Sequence, residues 1–145
     1  AHVLKDCYLS MGFKARHISG LPKKYIGECH SINVVYSNTL DKWIWVDPTN
    51  NAWVMDENGI MLSVQEVRER LRDGRPVILN EEANWNNLQK ITKEYYLDSY
   101  MAKNLYSIKA DDVLLCPSDP NAENFFQAKY VVNDDAWFWQ SPYQE

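Results

Sequence analysis

The fold of this chain is decided by the stretch GECHSINVVYSNTLDKWIWVDPTN, which covers residues 27–50. Two runs in it are dominated by β-branched and aromatic residues, His30–Tyr36 and Trp43–Val46, and the polar segment SNTLDK separates them. Runs of this composition, joined by a segment rich in turn-forming residues, are typical of paired strands. The stretch therefore predicts an antiparallel hairpin that begins with a histidine and ends just before an aspartate.

The register of this hairpin decides whether His30 and Asp47 meet. Side chains alternate across a strand, and opposed residues in an antiparallel hairpin have a constant sum of residue numbers. If Tyr36 opposes Trp43, His30 and Asp47 lie diagonally on one face, with backbones about 7–8 Å apart. Any register with an odd sum keeps the two side chains together, and any even sum separates them. The hairpin is thus predicted to bring an imidazole and a carboxylate within hydrogen-bonding reach.

A histidine and an aspartate in contact have two interpretations. In the first, the carboxylate fixes the tautomer, orients the ring and stabilises its protonated form, which is two thirds of a catalytic triad. In the second, His30 at a strand start and Asp47 before a proline only satisfy local backbone groups, the aspartate through an Asx-type turn. Cys29, His30 and Asp47 do not have the spacing of a metal site, and we expect neither a metal nor another cofactor.

The length and composition of the chain fit a single folded domain over residues 1–145. The net charge is −5, without a large basic cluster, which argues against nucleic acid as a partner. No apolar run approaches the ~18 residues that span a bilayer. The chain opens on Ala1 inside a helical apolar pattern, without an initiator methionine or a capping residue, so we expect further sequence upstream. The oligomeric state is not determined by these features.

The first half of the chain adds a helix and a second hairpin to these strands. Apolar residues at helix spacing predict a buried helix that ends at Gly12, with an inward stripe of Val3, Leu4, Cys7, Tyr8 and Met11. A strand is predicted over Phe13–Gly20. The strands Ala52–Met55 and Ile60–Leu62 flank Asp56–Gly59, whose Asn-Gly pair predicts a hairpin turn.

The second half begins with a capping box, Ser63 to Glu66, which predicts a helix that ends at Asp73-Gly74, followed by a short strand over Arg75–Leu79. A longer helix is predicted from Asn86 or Asn87, with an inward stripe of Leu88, Ile91, Tyr95, Met101 and Leu105. Strand patterns return in YSIKA, VLLC, KYVV and WFW. This order indicates an α+β fold, with the N-terminal helix packed on a largely antiparallel sheet and extra helices and strands toward the C-terminus.

Three motifs in residues 1 to about 50 resemble the core of the transglutaminase-like superfamily. They are Gly12-Phe13-Lys14-Ala15-Arg16, the histidine of His30-x-x-x-x-Val35-Tyr36, and Trp43-Ile44-Trp45-Val46-Asp47-Pro48-Thr49. The resemblance implies the papain-like cysteine hydrolase fold and a Cys-His-Asp triad, with His30 and Asp47 in the catalytic positions. In the family the nucleophilic cysteine begins the helix, a position about four residues before Ala1. The resemblance therefore implies that residues 1–145 lack the nucleophile and are inactive by themselves.

The same resemblance implies a thiol enzyme that acts on peptide or isopeptide amides of a peptide or protein substrate. The cysteine would attack the amide, His30 would take and return the proton, and Asp47 would hold His30. Hydrolysis is favoured over crosslinking because water is the default acceptor and no feature of the sequence indicates a channel that binds lysine. The alternative is a catalytically inactive module that binds a peptide or a glycan in the same cleft.

Beyond Asn50 the chain is similar in style to bacterial proteins, those of Bacteroidetes included, that carry extra β structure after a transglutaminase-like core. This similarity implies a secreted or periplasmic protein of a bacterium. The three cysteines leave the compartment open, because they are too few and too unevenly spaced for a disulfide framework.

Further candidates for the site are aromatic residues and histidines. Trp43 and Trp45 share the face of His30, so they are candidates either for substrate binding at the walls of the cleft or for the core. His2 lies near the expected nucleophile and is a candidate for the cleft, or else an ordinary, partly exposed helical residue. His17 is expected on the other side of the sheet.

Cysteines are the remaining groups with chemistry of their own. Cys7 belongs to the inward stripe of the first helix, and Cys29 points to the strand face opposite His30, so both are interpreted as structural. Cys116, before Pro117, is assigned no chemistry.

Overall fold

A computed structural model describes residues 1–24, 27–117 and 130–143. Its main feature is a six-stranded sheet in the order β10-β9-β8-β1-β2-β3, in which every pair is antiparallel except the parallel pair β9 and β10. The strands are β1 (Ala15–Leu21), β2 (His30–Ser37), β3 (Lys42–Val46), β8 (Ser107–Ala110), β9 (Val113–Leu115) and β10 (Tyr130–Val132). The predicted α+β class with a mostly antiparallel sheet is confirmed.

The central hairpin has the predicted register. Tyr36 pairs with Trp43 and Asn33 pairs with Val46, so opposed residue numbers have an odd sum. β1 lies on the other side of β2 and pairs Ile18 with Ile32 and Gly20 with His30. Because side chains alternate, His30 shares its face of the sheet with the buried residues Ile18 and Ile32.

Helices cover this face and close the core. α2 (Val64–Asp73) begins at the predicted capping box, in which Ser63 and Glu66 exchange hydrogen bonds, and it ends at Gly74 in the left-handed conformation. A π-helix (Glu94–Met101) continues directly into α3 (Ala102–Asn104). Buried side chains of α2 and of the π-helix join those of β1, β2 and β3 in one hydrophobic cluster, with Val64, Val67, Tyr96, Leu97 and Met101 among them.

The first helix, α1 (His2–Ser10), differs from its prediction, because none of its residues is buried. It lies against β1 and β2 on the face opposite the core cluster, where His2 stacks on His17. The predicted inward stripe is wrong: Val3 is 79% exposed, and Met11 and Cys7 are exposed as well. The physical reason is that, among the described residues, one side of α1 meets the sheet and no element packs on the side that bears these residues.

The predicted helix from Asn86 is also corrected, because helical structure starts only at Glu94. The residues before it form a small hairpin, β6 (Asn84–Trp85) with β7 (Gln89–Lys90). Asn86 and Asn87 both have positive φ, and Leu88 N–H donates to Trp85 O, so the chain reverses in a tight turn centred on the two asparagines.

The inward stripe predicted for that helix is therefore only partly right. Ile91, Met101 and Leu105 are buried as expected, whereas Leu88 at the hairpin is 76% exposed and Tyr95 is exposed. The hairpin removes Leu88 from the helix, so the spacing that placed it on the inner face does not apply.

Short strands complete the fold. β4 (Val54–Met55) pairs with β5 (Ile78–Leu79), and Met55 forms a single bridge with Met61 across the predicted Asp56–Gly59 turn. That turn is held by the Asp56 carboxylate, which accepts the backbone N–H groups of Asn58 and Ile60. Of the predicted strand KYVV, Tyr130–Val132 is observed, and its first residue lies outside the described part of the chain.

The WFW segment is helical rather than extended. α4 (Asp135–Phe138) is capped by the Asp134 carboxylate, which accepts the N–H groups of Ala136 and Trp137. A side-chain cap that satisfies free N–H groups outweighs the weak strand preference of three aromatic residues. Within the described residues, no helix has both the length and the apolar character needed to cross a bilayer.

Candidate active site

The site is built where β2 begins and β3 ends. His30 is the first residue of β2, and Asp47 directly follows the last residue of β3, so the hairpin register places them together. His30 Nε2 lies 2.6 Å from Asp47 Oδ2. The predicted contact between the imidazole and the carboxylate is confirmed.

Asp47 is bonded to five donors. Its Oδ2 accepts from His30 Nε2, from Asn50 Nδ2 at 2.8 Å and from the Tyr96 hydroxyl at 2.6 Å. Its Oδ1 accepts the backbone N–H groups of Thr49 at 2.9 Å and Asn50 at 3.3 Å, which is an Asx-type turn. The carboxylate therefore organises its own loop and binds His30 at the same time, so the two interpretations of Asp47 are compatible.

These bonds keep Asp47 ionised although its exposure is 0%. Burial acts to raise the pKa of Asp47, but the hydrogen bond and charge interaction with His30, together with bonds from Asn50 and Tyr96, outweigh burial and lower the pKa below 3.8. Burial and the neighbouring Asp47 raise the pKa of Tyr96 well above 10.0. Tyr96 therefore stays protonated and remains a donor to the carboxylate.

The second ring nitrogen of His30 faces the π-helix. Because the ionised Asp47 can only accept, Nε2 carries the hydrogen, and Nδ1 is left to exchange a proton. The Tyr100 hydroxyl lies 3.3 Å from Nδ1, and its ring contacts the imidazole edge to face at 5.2 Å. Burial and the negative charges of Glu28 and Asp47 raise the pKa of Tyr100 above 10.0, so its hydroxyl keeps its proton.

Three members of this network were not predicted from the sequence: Asn50, Tyr96 and Tyr100. Asn50 carries a weak signal, since it lies three residues after an aspartate that opens an Asx-type turn. Tyr96 and Tyr100 are four residues apart and so share a helical face, but nothing in their local sequence indicates that this face meets His30. Their contacts to Asp47 and His30 depend on packing of distant segments.

A groove of about 650 Å³ opens beside His30. The loop after β3, residues 47–50, forms one side of it, and the β6–β7 hairpin and the π-helix form the others. Its lining includes His30, Thr49, Asn50, Trp85, Gln89, Lys90, Tyr95 and Tyr100.

Trp43 and Trp45, the candidates for substrate binding, do not line this groove. Both are buried in the core cluster, so their alternative assignment to the core is the correct one. Trp45 Nε1 donates to the Tyr96 hydroxyl at 3.3 Å, and Trp43 Nε1 donates to Gln140 O. Trp45 acts behind Asp47 as part of its support, because both bond to Tyr96.

His2 is likewise absent from the groove. It is exposed on α1 and stacks on His17, with ring centroids 4.0 Å apart, on the sheet face opposite His30. The placement of His17 on the other side of the sheet is confirmed, and His2 as a residue of the cleft is wrong. The reason is that α1 packs on the face that carries His17, so its first turn does not reach the core face.

The cysteines are distributed over three different surroundings. Cys7 and Cys29 are exposed, so neither is the small buried residue that a structural role in the core requires. Cys116 is buried with Leu21 and Leu114, and its Sγ lies 3.5 Å from the hydroxyl of Ser107. In the described part of the chain, no three His, Cys, Asp or Glu side chains are grouped as they are around a metal ion.

No protein-family model, no curated protein and no solved structure matches this chain.

Proposed function

We propose that this chain is the part of a transglutaminase-like thiol enzyme that supplies the histidine and the aspartate of a Cys-His-Asp triad. The observation that carries the proposal is the 2.6 Å contact between His30 Nε2 and Asp47 Oδ2, with the carboxylate buried and held by four further hydrogen bonds. A histidine that only begins a strand does not need an aspartate ordered this strongly. The order and spacing of the three motifs in the first fifty residues support the same assignment.

In this proposal the substrate is a peptide or isopeptide amide. The thiol of a cysteine about four residues before Ala1 gives its proton to His30 Nδ1, and the sulfur attacks the amide carbon. Because α1 begins beside His17 on the opposite face of the sheet, the segment before Ala1 has to pass the end of the sheet to bring the thiol to His30. His30 then protonates the leaving amine nitrogen, and the carbon–nitrogen bond breaks to leave a thioester. Asp47 accepts from Nε2–H throughout and stabilises the imidazolium that forms in each half of the reaction.

The second half-reaction is hydrolysis. His30 Nδ1 takes a proton from water, the hydroxide attacks the thioester, and the proton returns to sulfur as the acid is released. Water is the default acceptor, and the groove shows no separate channel for an amine among its described lining residues. The Tyr100 hydroxyl, 3.3 Å from Nδ1, has to give way to the thiol.

A second candidate function is a catalytically inactive module that binds a peptide or a glycan. The observation that favours it is the same Tyr100 hydroxyl, which already occupies the hydrogen-bonding position at His30 Nδ1. In this case the network around Asp47 serves only to shape the floor of the groove.

A thiol-labelling experiment separates the two. The chain is expressed with its natural upstream segment in a Cys7→Ser, Cys29→Ser background, because these two exposed thiols would react with any probe. If the chain belongs to a thiol enzyme, an upstream cysteine should react fast with iodoacetamide, and His30→Ala should slow this reaction about 100-fold or more. An upstream segment without cysteine at this position, or a labelling rate that His30→Ala leaves unchanged, would refute the enzyme.

A further inference from the structure

The β6–β7 hairpin is fixed against the loop after β3, residues 47–50. Asn84 N–H donates to Asn50 O at 2.8 Å, and Asn86 N–H donates to Thr49 O at 2.9 Å. Trp85 lies between these two bonds and lines the groove, with 47% of its surface exposed. The residue beside the candidate catalytic pair is thus an indole held in place by backbone bonds yet left open to solvent.

Two tyrosines of the π-helix continue this aromatic lining. Tyr95 is 61% exposed, and its ring is parallel to that of Tyr100 within 5°, with centroids 6.4 Å apart. Exposed aromatic rings gathered in one groove mark a binding surface more strongly than scattered ones do. Flat faces of this kind bind aromatic or large apolar side chains.

The groove has a positive charge at Lys90, although the whole chain has a net charge of −5 and the ionised Asp47 is buried beneath the lining. Lys90 is the one lysine among its described lining residues, and no carboxylate belongs to that lining. The lysines nearby are paired, Lys93 with Asp98 at 2.8 Å and Lys103 with Glu28. In the described residues Lys90 has no such carboxylate partner.

We infer that the groove selects a peptide segment with a carboxylate side chain for Lys90 and an aromatic side chain for Trp85 and Tyr95, next to the amide that meets His30. This inference rests on the proposed function and names its substrate class. The carboxylate neutralises the cation that the fold leaves unpaired. A neutral oligosaccharide would stack on the same rings but would leave Lys90 without a counter-charge, so the peptide is favoured.

Binding to residues 1–145 tests this inference without any catalytic step. The probes are three blocked tripeptides with glutamine in the middle. Their sequences are Phe-Gln-Glu, Phe-Gln-Gln and Ala-Gln-Glu. Titrations followed by NMR should show the first peptide binding about two- to fivefold tighter than the neutral one at low salt, as expected for an exposed ion pair. High salt should reduce this preference.

Variants assign the preference to residues. Lys90→Gln should abolish the preference for glutamate, whereas Lys93→Gln, which removes a lysine already paired, should retain it. Trp85→Ala should weaken the binding of the two phenylalanine peptides roughly three- to tenfold and leave the binding of the alanine peptide almost unchanged. Both Lys90 and Trp85 are exposed, so their replacement should not unfold the protein.

Two results would overturn the inference: a preference for glutamate that survives Lys90→Gln, or tight binding of chitotetraose with no measurable binding of any peptide. These outcomes differ from failure of the proposed function, which would show as no His30-dependent thiol in the extended protein. If labelling fails while the Lys90-dependent preference persists, the groove is a peptide-binding site without the reaction. If labelling succeeds without the preference, only the substrate class is wrong.

Discussion

The Asp47 carboxylate shows how one buried residue sets the state of its neighbours. Its two oxygens accept five hydrogen bonds, so little rotation of the group is possible without breaking several of them. This fixes the tautomer of His30, because Nε2–H has one acceptor and Nδ1 is turned to the groove. The chemistry available at the groove thus depends in part on Tyr96, a donor to Asp47 that does not line the groove.

Replacement of Tyr96 by phenylalanine should destabilise the protein by about 1–3 kcal/mol, because the buried Asp47 loses a donor. Trp45 Nε1 also loses its acceptor, which adds to the cost. The free energy of unfolding in urea measures the effect. Tyr95→Phe is the matched control, since this hydroxyl is on an exposed residue, and its effect should stay within about 0.5 kcal/mol. Equal stability of Tyr96→Phe and the parent would show that the bond to Asp47 contributes nothing.

At the scale of elements, the position of the π-helix over the site depends on Gly20. This residue pairs with His30 across β1 and β2, and α3 crosses β1 closely at this point. A Cβ atom added at Gly20 would lie 2.5 Å from the backbone oxygen of Asn104. The helical segment that carries Tyr100 can approach His30 because this strand position has no side chain.

Gly20→Ala should therefore cost about 1–3 kcal/mol and move the helical segment away from β1, since a backbone oxygen cannot yield as a side-chain tip does. Urea unfolding measures the cost, and the NMR signals of the His30 ring report the movement of Tyr100. Ser19→Ala, at the neighbouring position on the other face of β1, should change neither quantity appreciably. If Gly20→Ala has the stability and the His30 ring signals of the parent protein, the close approach of α3 to β1 has no role in positioning the site.

Elements with a strong local signal were predictable, and those set by backbone turns were not. The β2–β3 hairpin follows from two strand-like runs joined by a turn segment and from the constant-sum register, and the α2 boundaries follow from a capping box and a terminal glycine. The helix predicted from Asn86 failed because Asn86 and Asn87 adopt positive φ and reverse the chain. Asparagine tolerates this conformation at low cost, yet an Asn-Asn pair also fits a helix start, so the pattern alone was ambiguous.

For the whole molecule, the same distinction separates the predicted part of the site from the rest. His30 and Asp47 are 17 residues apart and joined by one hairpin, so alternation and register suffice to place them together. Tyr96 is 49 residues from Asp47 and Tyr100 is 70 residues from His30, so their contacts arise only when the π-helix packs on the sheet. The exposure of α1 was missed for a similar reason: periodicity gives a helix an apolar stripe without stating which element covers it.

The depressed pKa of Asp47 connects the site to the stability of the whole fold. Below about pH 3.8 the unfolded chain protonates this carboxyl while the folded chain does not, so the unfolded state binds more protons. The stability contributed by Asp47 is therefore complete above that pH, and it is lost as the pH falls through the lower pKa that Asp47 has in the folded state. For one proton, the slope of the unfolding free energy against pH cannot exceed about 1.4 kcal/mol per pH unit. Asp56, Glu57, Glu66 and Asp73, whose pKa values are also lowered, act in the same direction.

Asp47→Asn should accordingly make the fall of the unfolding free energy between about pH 4 and pH 2 less steep, by up to about 1.4 kcal/mol per pH unit. Asp135 provides a control of opposite sign: burial raises its pKa, so the folded chain binds the extra proton above about pH 3.8, and Asp135→Asn should make the loss of stability on acidification steeper there rather than between pH 4 and pH 2. Urea titrations at several pH values measure both slopes. If Asp47→Asn is too unstable to titrate, the carboxyl 13C signal of Asp47 in the parent protein should have a midpoint below 3.8. A midpoint at or above 3.8 would mean that burial outweighs the hydrogen bonds, and the carboxylate would then be a poor partner for a charged His30.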